Sequence, residues 1–173
     1  QPITGTNISG ITSSELIISN AFTTDAGVYT CTVTGACGSP LTSSNASLTI
    51  NPTTVINTQP SHFTRCSGDE VTFTVQANGD NLNYQWKKGG ATGTIVTDGL
   101  QVSGATVTGA ATTQMKITGI TSTESGSYVC VITGTCGNVN ITPAQLDVTV
   151  PVQITPEPLS LTSICQGSST QIS

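Results

Sequence analysis

Six cysteines carry the most distinctive chemistry of this 173-residue sequence. They form three pairs whose members lie 99 positions apart: Cys31 and Cys130, Cys37 and Cys136, Cys66 and Cys165. Neither C-x-x-C spacing nor a histidine-rich tract accompanies them, so disulfide formation is favoured over zinc binding. Because disulfides persist in oxidising compartments, the cysteines predict an extracytoplasmic protein.

The other ionisable side chains show no catalytic or metal-binding pattern. His62 is the only histidine, and no serine, cysteine and carboxylate set stands at a catalytic spacing from it, so we expect it in a solvent-facing loop. Asp25 and Glu124 are expected to accept backbone N–H bonds in turns. Asp80 and Asp98 are isolated, which leaves calcium at repeat junctions as a weak alternative. We therefore expect no enzymatic activity, no metal site and no cofactor.

Composition excludes two classes of partner. Charged residues make up 8% of the chain, the net charge is −5, and Lys and Arg number only four, so a row of phosphates could not be neutralised. Neither nucleic acid nor an anionic membrane surface is an expected partner. No run of about 20 apolar residues occurs, so we expect no membrane insertion in this segment. Abundant Thr and Ser favour strands and supply the polar surface.

The 99-residue period also divides the chain. It aligns Pro52 with Pro151, and Gly27, Tyr29 and Gly35 with Gly126, Tyr128 and Gly134. We expect residues 1–51 to be the C-terminal part of one repeat, 52–150 a complete repeat, and 151–173 the N-terminal part of the next. The Pro-containing stretches 51–60 and 150–158 mark the boundaries. This phase predicts a window on a longer array.

Alternating hydrophobic residues predict short strands within the complete repeat. Val71, Phe73 and Val75 share one strand face, and Tyr84 and Trp86 share a face of the next strand. Further inward positions are expected at Met115, Ile117, Ile120, Tyr128, Cys130, Ile132, Leu146, Val148 and Val150. Six or more strands separated by turn residues in about 100 residues predict an all-β fold of tandem antiparallel β-sandwiches.

Two short segments carry a family resemblance. DAGVYTC (25–31) and ESGSYVC (124–130) resemble the D-x-G-x-Y-x-C signature of immunoglobulin-like domains. The resemblance implies that the hydroxyls of Tyr29 and Tyr128 bond the backbone ahead of their strands, the arrangement called a tyrosine corner. It also implies that Trp86 occupies the core position on the third strand. The expected architecture is therefore tandem immunoglobulin-like β-sandwiches.

One departure from the family pattern affects the core. The family's other core cysteine would fall at Val75, so the resemblance implies that Cys130 lacks its usual partner across the sheets and makes an apolar contact near Trp86 instead.

Three cysteines in each repeat cannot all pair internally, which leaves two arrangements open. In the first, Cys130 bonds Cys136 and Cys31 bonds Cys37, leaving Cys66 and Cys165 free. In the second, a cysteine of the Cys66 type bonds one of the Cys136 type in the following repeat, because the two types would lie at opposite ends of a sandwich. We favour the first arrangement.

The cysteine surroundings resemble a narrower group of proteins. Cys-x-Gly at 66–68 and Thr-Gly-x-Cys-Gly at 34–38 and 133–137 look like the tandem repeats of long type IX-secreted surface adhesins of gliding bacteria. That resemblance implies an extracellular, cell-surface stalk or filament serving attachment or motility. Its implied partners are neighbouring repeats of the same chain, surface glycans or proteins, and homotypic filament contacts.

An accessory binding module is the alternative interpretation. An immunoglobulin-like module that binds carbohydrate or protein could belong to a secreted multidomain enzyme or a receptor. A binding surface would then be built from the loops at 87–90 and 93–113, although an ordinary solvated hairpin is the favoured interpretation of these residues. Trp86 could serve as a sugar-stacking platform only if exposed, and its pattern places it in the core.

Overall fold

A computed structural model describes residues 5–152 and 165–167. Short strands dominate this part of the chain, as β-branched residues and frequent turn residues predict. The strands are β1 (Ile8–Ser9), β2 (Ile17–Ile18), β3 (Gly27–Tyr29), β4 (Thr32–Val33), β5 (Leu41–Thr42), β6 (Ala46–Leu48), β7 (Val55–Thr58), β8 (Phe63–Cys66), β9 (Glu70–Thr74), β10 (Gln76–Asn78), β11 (Asn83–Lys88), β12 (Thr94–Ile95), β13 (Gly99–Leu100), β14 (Thr106–Thr108), β15 (Gln114–Thr118), β16 (Gly126–Gly134), β17 (Gly137–Asn140) and β18 (Ala144–Thr149). Two 3₁₀ helices span Thr23–Asp25 and Ser122–Glu124.

Residues 52–150 form a sandwich of two sheets around one core. One sheet has the order β12-β11-β16-β18-β8, with β17 also paired to β16, and the other has the order β13-β14-β15-β9. Strand β10 follows β9 directly and pairs with β7 across a register shift between Gln76 and Ala77. The expected all-β sandwich is confirmed.

One strand pair is not antiparallel. Strand β8 runs parallel to β18, with Phe63 opposite Leu146 and Cys66 opposite Thr149. The opening segment of the repeat therefore pairs first with β10, through β7, in a two-stranded sheet, and then with the larger sheet, through β8. The other strand pairs of the described residues are antiparallel, as predicted, and this one parallel pair is a long-range contact that leaves no periodic signal in the sequence.

The core residues come from both sheets and all lie between positions 71 and 146. Phe73 is central: its ring centroid lies 5.5 Å from that of Phe63, 5.8 Å from Trp86 and 5.0 Å from Tyr128. Trp86 is fully buried, and its indole Nε1–H donates to the Thr112 carbonyl at 2.9 Å. Because these side chains bury one another, they form one continuous apolar core between the two sheets.

The inward faces expected from alternation are buried, apart from half-buried Tyr84 and Val148, which pack against the core, and exposed Val150. Val71, Phe73 and Val75 are at most 2% exposed. Val150, which was expected to continue the inward face of the last strand, is 66% exposed because β18 ends at Thr149. The expectation for Val150 is therefore wrong.

The sequence repeat is also a repeat of local structure. Gly10 and Gly109 open matching turns, in which their carbonyls accept hydrogen bonds from Ser13 N and Thr112 N, each at 3.0 Å. The Ser13 and Thr112 hydroxyls in turn donate to the carbonyl two residues ahead, at 2.7 and 2.8 Å. Identical hydrogen bonding 99 residues apart shows that the two segments fold by the same local rules.

Candidate functional site

A tyrosine corner fixes the turn before β16. The Tyr128 hydroxyl donates to the Glu124 carbonyl at 2.8 Å, and the Tyr128 side chain is buried. Burial raises the pKa of Tyr128, and the nearby Glu124 charge adds to this effect, so the phenol remains protonated and available as a donor. This bond ties the 3₁₀ helix to the strand that follows it.

The Glu124 carboxylate is a buried anchor beneath this corner. It is 6% exposed and accepts hydrogen bonds from Thr121 N and Thr121 Oγ1, each at 2.7 Å, and from the Ser103 hydroxyl. Burial raises the pKa of Glu124, but these hydrogen bonds and the nearby Lys88 ammonium outweigh it and lower the pKa overall. Glu124 is thus held ionised as a structural capping group.

The same corner occurs in the first repeat. The Tyr29 hydroxyl donates to the Asp25 carbonyl. The Asp25 carboxylate accepts from Phe22 N at 2.8 Å and from Asn7 Nδ2 at 2.7 Å. Both acids therefore accept backbone N–H bonds in the turn, whereas the contributions of Ser103 and Asn7 gave no sequence signal because both are distant along the chain.

We expect Tyr128→Phe to lower the free energy of unfolding of the complete repeat by about 1–2 kcal/mol, because the Glu124 carbonyl loses its donor. Urea denaturation followed by far-UV circular dichroism measures this loss. Tyr29→Phe, the matched change in the other repeat, should leave the transition of the complete repeat unchanged. Equal shifts for the two variants would contradict the assignment of this bond to the complete repeat.

All six cysteines lie among the described residues, and none forms a disulfide there. Cys130 is buried opposite Trp86 on the neighbouring strand, whereas the other five are exposed. Cys136 lies in the two-residue turn between β16 and β17, directly beyond the end of a ladder that pairs Gly134 with Gly137 and Val131 with Asn140.

The expected Cys130–Cys136 bond is therefore wrong for this structure. Cys130 points into the core in the middle of β16, and the four residues from Cys130 to Gly134 extend about 13 Å along the strand. A disulfide requires Cα atoms within about 7 Å. Cys31 and Cys37, the matching pair of the first repeat, are likewise both free.

Native Cys130 should resist alkylation by iodoacetamide. Burial raises its pKa from an ordinary 9.0 to about 11, against a smaller lowering by a hydrogen bond from the Gln85 backbone. At pH 8 this rise in pKa lowers the thiolate fraction of Cys130 about 100-fold relative to an ordinary cysteine. Peptide mass analysis of the folded chain should show five modified cysteines, and denatured protein should show six. Rapid modification of folded Cys130 would contradict its burial.

The two remaining thiols of the complete repeat mark its opposite ends. Cys66 Sγ lies 3.9 Å from Thr149 Oγ1, where the chain leaves the sandwich. Cys136 Sγ donates to the Asn51 carbonyl at 3.5 Å, where the chain enters it. The expectation that these two cysteines lie at opposite ends of one sandwich agrees with these contacts.

An open groove of about 370 Å³ lies beside the tyrosine corner, partly lined by the 93–113 segment. Val96, Val107 and Ile117 supply apolar lining, and Lys88 and Glu124 contribute charged groups. Both charges already have protein partners, because Lys88 donates to the Thr123 carbonyl and Glu124 accepts from Ser103 and Thr121. The groove therefore presents an apolar surface and no free catalytic group.

The described residues contain no cluster suited to metal binding. His62 is exposed, as expected, and its Nδ1 accepts the Gln145 backbone N–H at 2.9 Å, which gives the side chain a structural partner. Asp98 accepts the Ala110 backbone N–H at 2.7 Å. No helix between residues 5 and 152 has the length and hydropathy to cross a membrane.

Comparisons with known proteins agree with this geometry. The family model described as "Immunoglobulin domain" matches residues 47–133, whereas no curated protein matches the sequence. Among solved structures, the insect immune protein hemolin is 23% identical with a TM-score of 0.52, over 84% of this chain and 35% of hemolin. Immunoglobulin domains 1–5 of Sidekick-1 are 26% identical with a TM-score of 0.46, over 91% of this chain and 34% of theirs. The tandem repeats of Dlar are 21% identical with a TM-score of 0.47, over 86% and 78%.

Proposed function

The chain belongs to the immunoglobulin domain family, and from this premise we propose that it is a stalk segment of a long secreted cell-surface adhesin or filament. Its serial sandwiches carry a terminal binding region away from the cell and so serve attachment or motility, as in the long adhesins of gliding bacteria. Its contacts are neighbouring repeats of the same chain and, between filaments, further copies of them. The location that this function requires is the cell exterior.

The observation that carries this proposal is the repeat itself. The 99-residue period preserves the Gly10 and Gly109 turns, the Tyr29 and Tyr128 corners and all three cysteine positions. Repeats of one fold joined by Pro-containing linkers produce an extended rod, in which each unit contacts only its neighbours. Such a rod transmits position and force and needs no reactive site.

Burial differences support the proposed repeat boundaries at 1–51, 52–150 and 151–173. Leu16, Cys31 and Val33 of the first segment are exposed, whereas the residues 99 positions later, Met115, Cys130 and Ile132, are fully buried. Leu16, Cys31 and Val33 thus form a face that would be inward in a complete repeat. In residues 52–150, strands β9 and β11 contribute to covering the equivalent face. The third segment lies mostly outside the described residues.

Surface chemistry suits a spacer better than a recognition module. Trp86 is fully buried, so it offers no platform for stacking on a sugar. Lys116 and Glu70 form the one ion pair among the described residues, with 2.8 Å between Nζ and Oε2. Neutral Thr-rich faces keep a long rod hydrated without attracting charged partners. A carbohydrate-binding accessory module would be supported by a row of exposed aromatic side chains, which the complete repeat does not supply.

Each repeat would lengthen the rod by a few nanometres. Strand β16 has nine residues, which span about 30 Å at the usual rise per residue. Because the chain enters near Asn51 and leaves near Thr149, at opposite ends of the sandwich, successive repeats add end to end. The projection distance then grows with the number of repeats.

The test is the reduced and denatured mass of the native polypeptide from its source, together with immunogold labelling of intact cells by antibody against residues 52–150. A mass many times 17.6 kDa and label extending tens of nanometres from the surface are expected. Preimmune antibody provides the labelling control. A mass near 17.6 kDa, or label confined to the cell interior, would overturn the stalk.

A further inference from the structure

We propose that adjacent repeats are joined by a disulfide between Cys66 of one repeat and the cysteine at the Cys136 position of the next. This inference rests on the serial arrangement proposed above and adds a covalent joint to it. It takes up the second cysteine arrangement and gives it a structural basis in the linker.

The two thiols contact opposite ends of the same repeat at its linkers. Cys66 is paired with Thr149 across the parallel β8–β18 ladder, and its Sγ lies 3.9 Å from the Thr149 hydroxyl. Cys136 Sγ lies 3.5 Å from the carbonyl oxygen of Asn51, which directly precedes Pro52. Both cysteines are exposed.

The repeat brings these two contacts onto neighbouring residues. Asn51 precedes Pro52 as Val150 precedes Pro151. In a following repeat of the same structure, the cysteine of the Cys136 type would therefore lie against the carbonyl of Val150. That residue adjoins Thr149, beside which Cys66 already lies.

The approach of these two cysteines does not depend on the side chains of the linker. Consecutive Cα atoms are about 3.8 Å apart, so the two thiols would lie against adjacent residues, the last of β18 and the one that follows it. The contact of Cys136 is to a backbone carbonyl, which Asn51 and Val150 supply equally. The proposed bond requires the joint to hold the two Cα atoms within the roughly 7 Å that a disulfide spans.

The same mapping explains why neither thiol is paired in the described residues. In the repeat that follows 52–150, the position equivalent to Cys136 falls beyond residue 173. In the repeat that precedes it, the position equivalent to Cys66 falls before residue 1. Each partner belongs to a neighbouring copy. A bond between Cys66 and Cys136 of one repeat is excluded by their location at opposite ends.

Bond formation requires an oxidant, and a disulfide of low molecular weight supplies it. A thiolate from one cysteine attacks oxidised glutathione and releases one glutathione thiol; the second cysteine then attacks the mixed disulfide and releases the other. Two protein thiols lose two protons and two electrons, and one glutathione disulfide becomes two thiols. Oxidised glutathione is therefore the reagent in the test.

The test uses the chain expanded by one repeat, with residues 1–150 followed directly by residues 52–173. This product keeps residues 1–51 and 151–173 at its two ends and recreates the Val150–Pro junction. After oxidation with oxidised glutathione, the protein is denatured, alkylated without reduction and cleaved with trypsin. We expect the Cys66 peptide to be linked to the peptide that follows Lys116 in the second copy, about 2 Da lighter than the sum of the two. Because that peptide also carries Cys130 and Cys165, fragmentation of the linked pair places the bond at Cys136.

Position-specific variants identify the copies, because cleavage after Arg65 and Lys87 yields the same Cys66 peptide from both. Cys66→Ala in the first copy should abolish the linked pair, and Cys66→Ala in the second copy should leave it intact. The unexpanded 173-residue chain is the matched control and should show no such pair. Alkylation of both thiols, or linkage to any other cysteine, would overturn the proposal.

Small-angle scattering separates this inference from the stalk itself. If the expanded chain is longer by about one sandwich but shows no linked pair, the covalent joint is wrong and the serial arrangement stands. If it is no longer than the original chain, both are wrong. Two buried tryptophans, seen as blue-shifted emission at doubled intensity, verify that the added repeat is folded.

Discussion

Trp86→Ala lowers the free energy of unfolding of the complete repeat by about 3–5 kcal/mol, because a large aromatic side chain is removed from a packed core. Trp86 is fully buried, lies 5.8 Å from the Phe73 ring and donates its indole N–H to the Thr112 carbonyl. A loss of this size approaches the whole stability of a small domain. Far-UV circular dichroism during urea unfolding measures it, since the variant has no tryptophan left to serve as a fluorescence probe.

Trp86→Phe separates packing from hydrogen bonding at the same position. Phenylalanine retains most of the ring contact with Phe73 but leaves the Thr112 carbonyl without its donor, so a smaller loss of about 1–2 kcal/mol is expected. If Trp86→Ala cost no more than Trp86→Phe, the indole would not be the main packing element of the core.

The local pattern of hydrophobic residues in the sequence was sufficient to predict the sandwich and most of its core residues. Alternation at Val71, Phe73 and Val75 identified a buried strand face, because one side of a half-buried strand repeats every second residue. The pairing of Trp86 with Cys130 across neighbouring strands also agrees with the alternation on both. These features depend on neighbours only a few residues apart, which is the range over which sequence patterns carry information.

Features that depend on distant segments were not predictable in the same way. The parallel pairing of β8 with β18 joins residues more than 80 positions apart, and no periodicity in the sequence predicts it. The Ser103 hydroxyl reaches the Glu124 carboxylate from another loop. The Cys130–Cys136 bond was expected from short separation along the chain, but an extended strand separates residues faster than a turn does, and one of them faces the core.

The cysteines illustrate how a repeat adds information that a single domain lacks. Within one repeat, Cys66 and Cys136 are exposed and lie at opposite ends, and nothing connects them. Across a junction, the 99-residue period places both against the same linker. In the proposed stalk, stiffness would depend on these joints, because the linkers between sandwiches are the points at which a rod bends.

Gly109→Ala should destabilise the complete repeat by at least about 2 kcal/mol, more than the left-handed conformation alone would cost. Gly109 has φ of +77°, and a Cβ atom there would lie 2.1 Å from the Gln114 carbonyl oxygen. The left-handed region costs a residue with a Cβ about 1–2 kcal/mol. The overlap adds to this, because the oxygen belongs to the backbone at the start of β15, which cannot move without disturbing its pairing with β9.

Gly104→Ala is the matched control, since it isolates the backbone term. Gly104 has φ of +91°, yet a Cβ atom there would meet no heavy atom within 4 Å. Urea denaturation of the two variants should therefore show a smaller loss for Gly104→Ala, of about 1–2 kcal/mol. Equal losses would mean that the turn relaxes around the added methyl group. In that case the turn shared by Gly109 and Gly10 would reflect backbone conformation alone, without the close approach of the two chain segments.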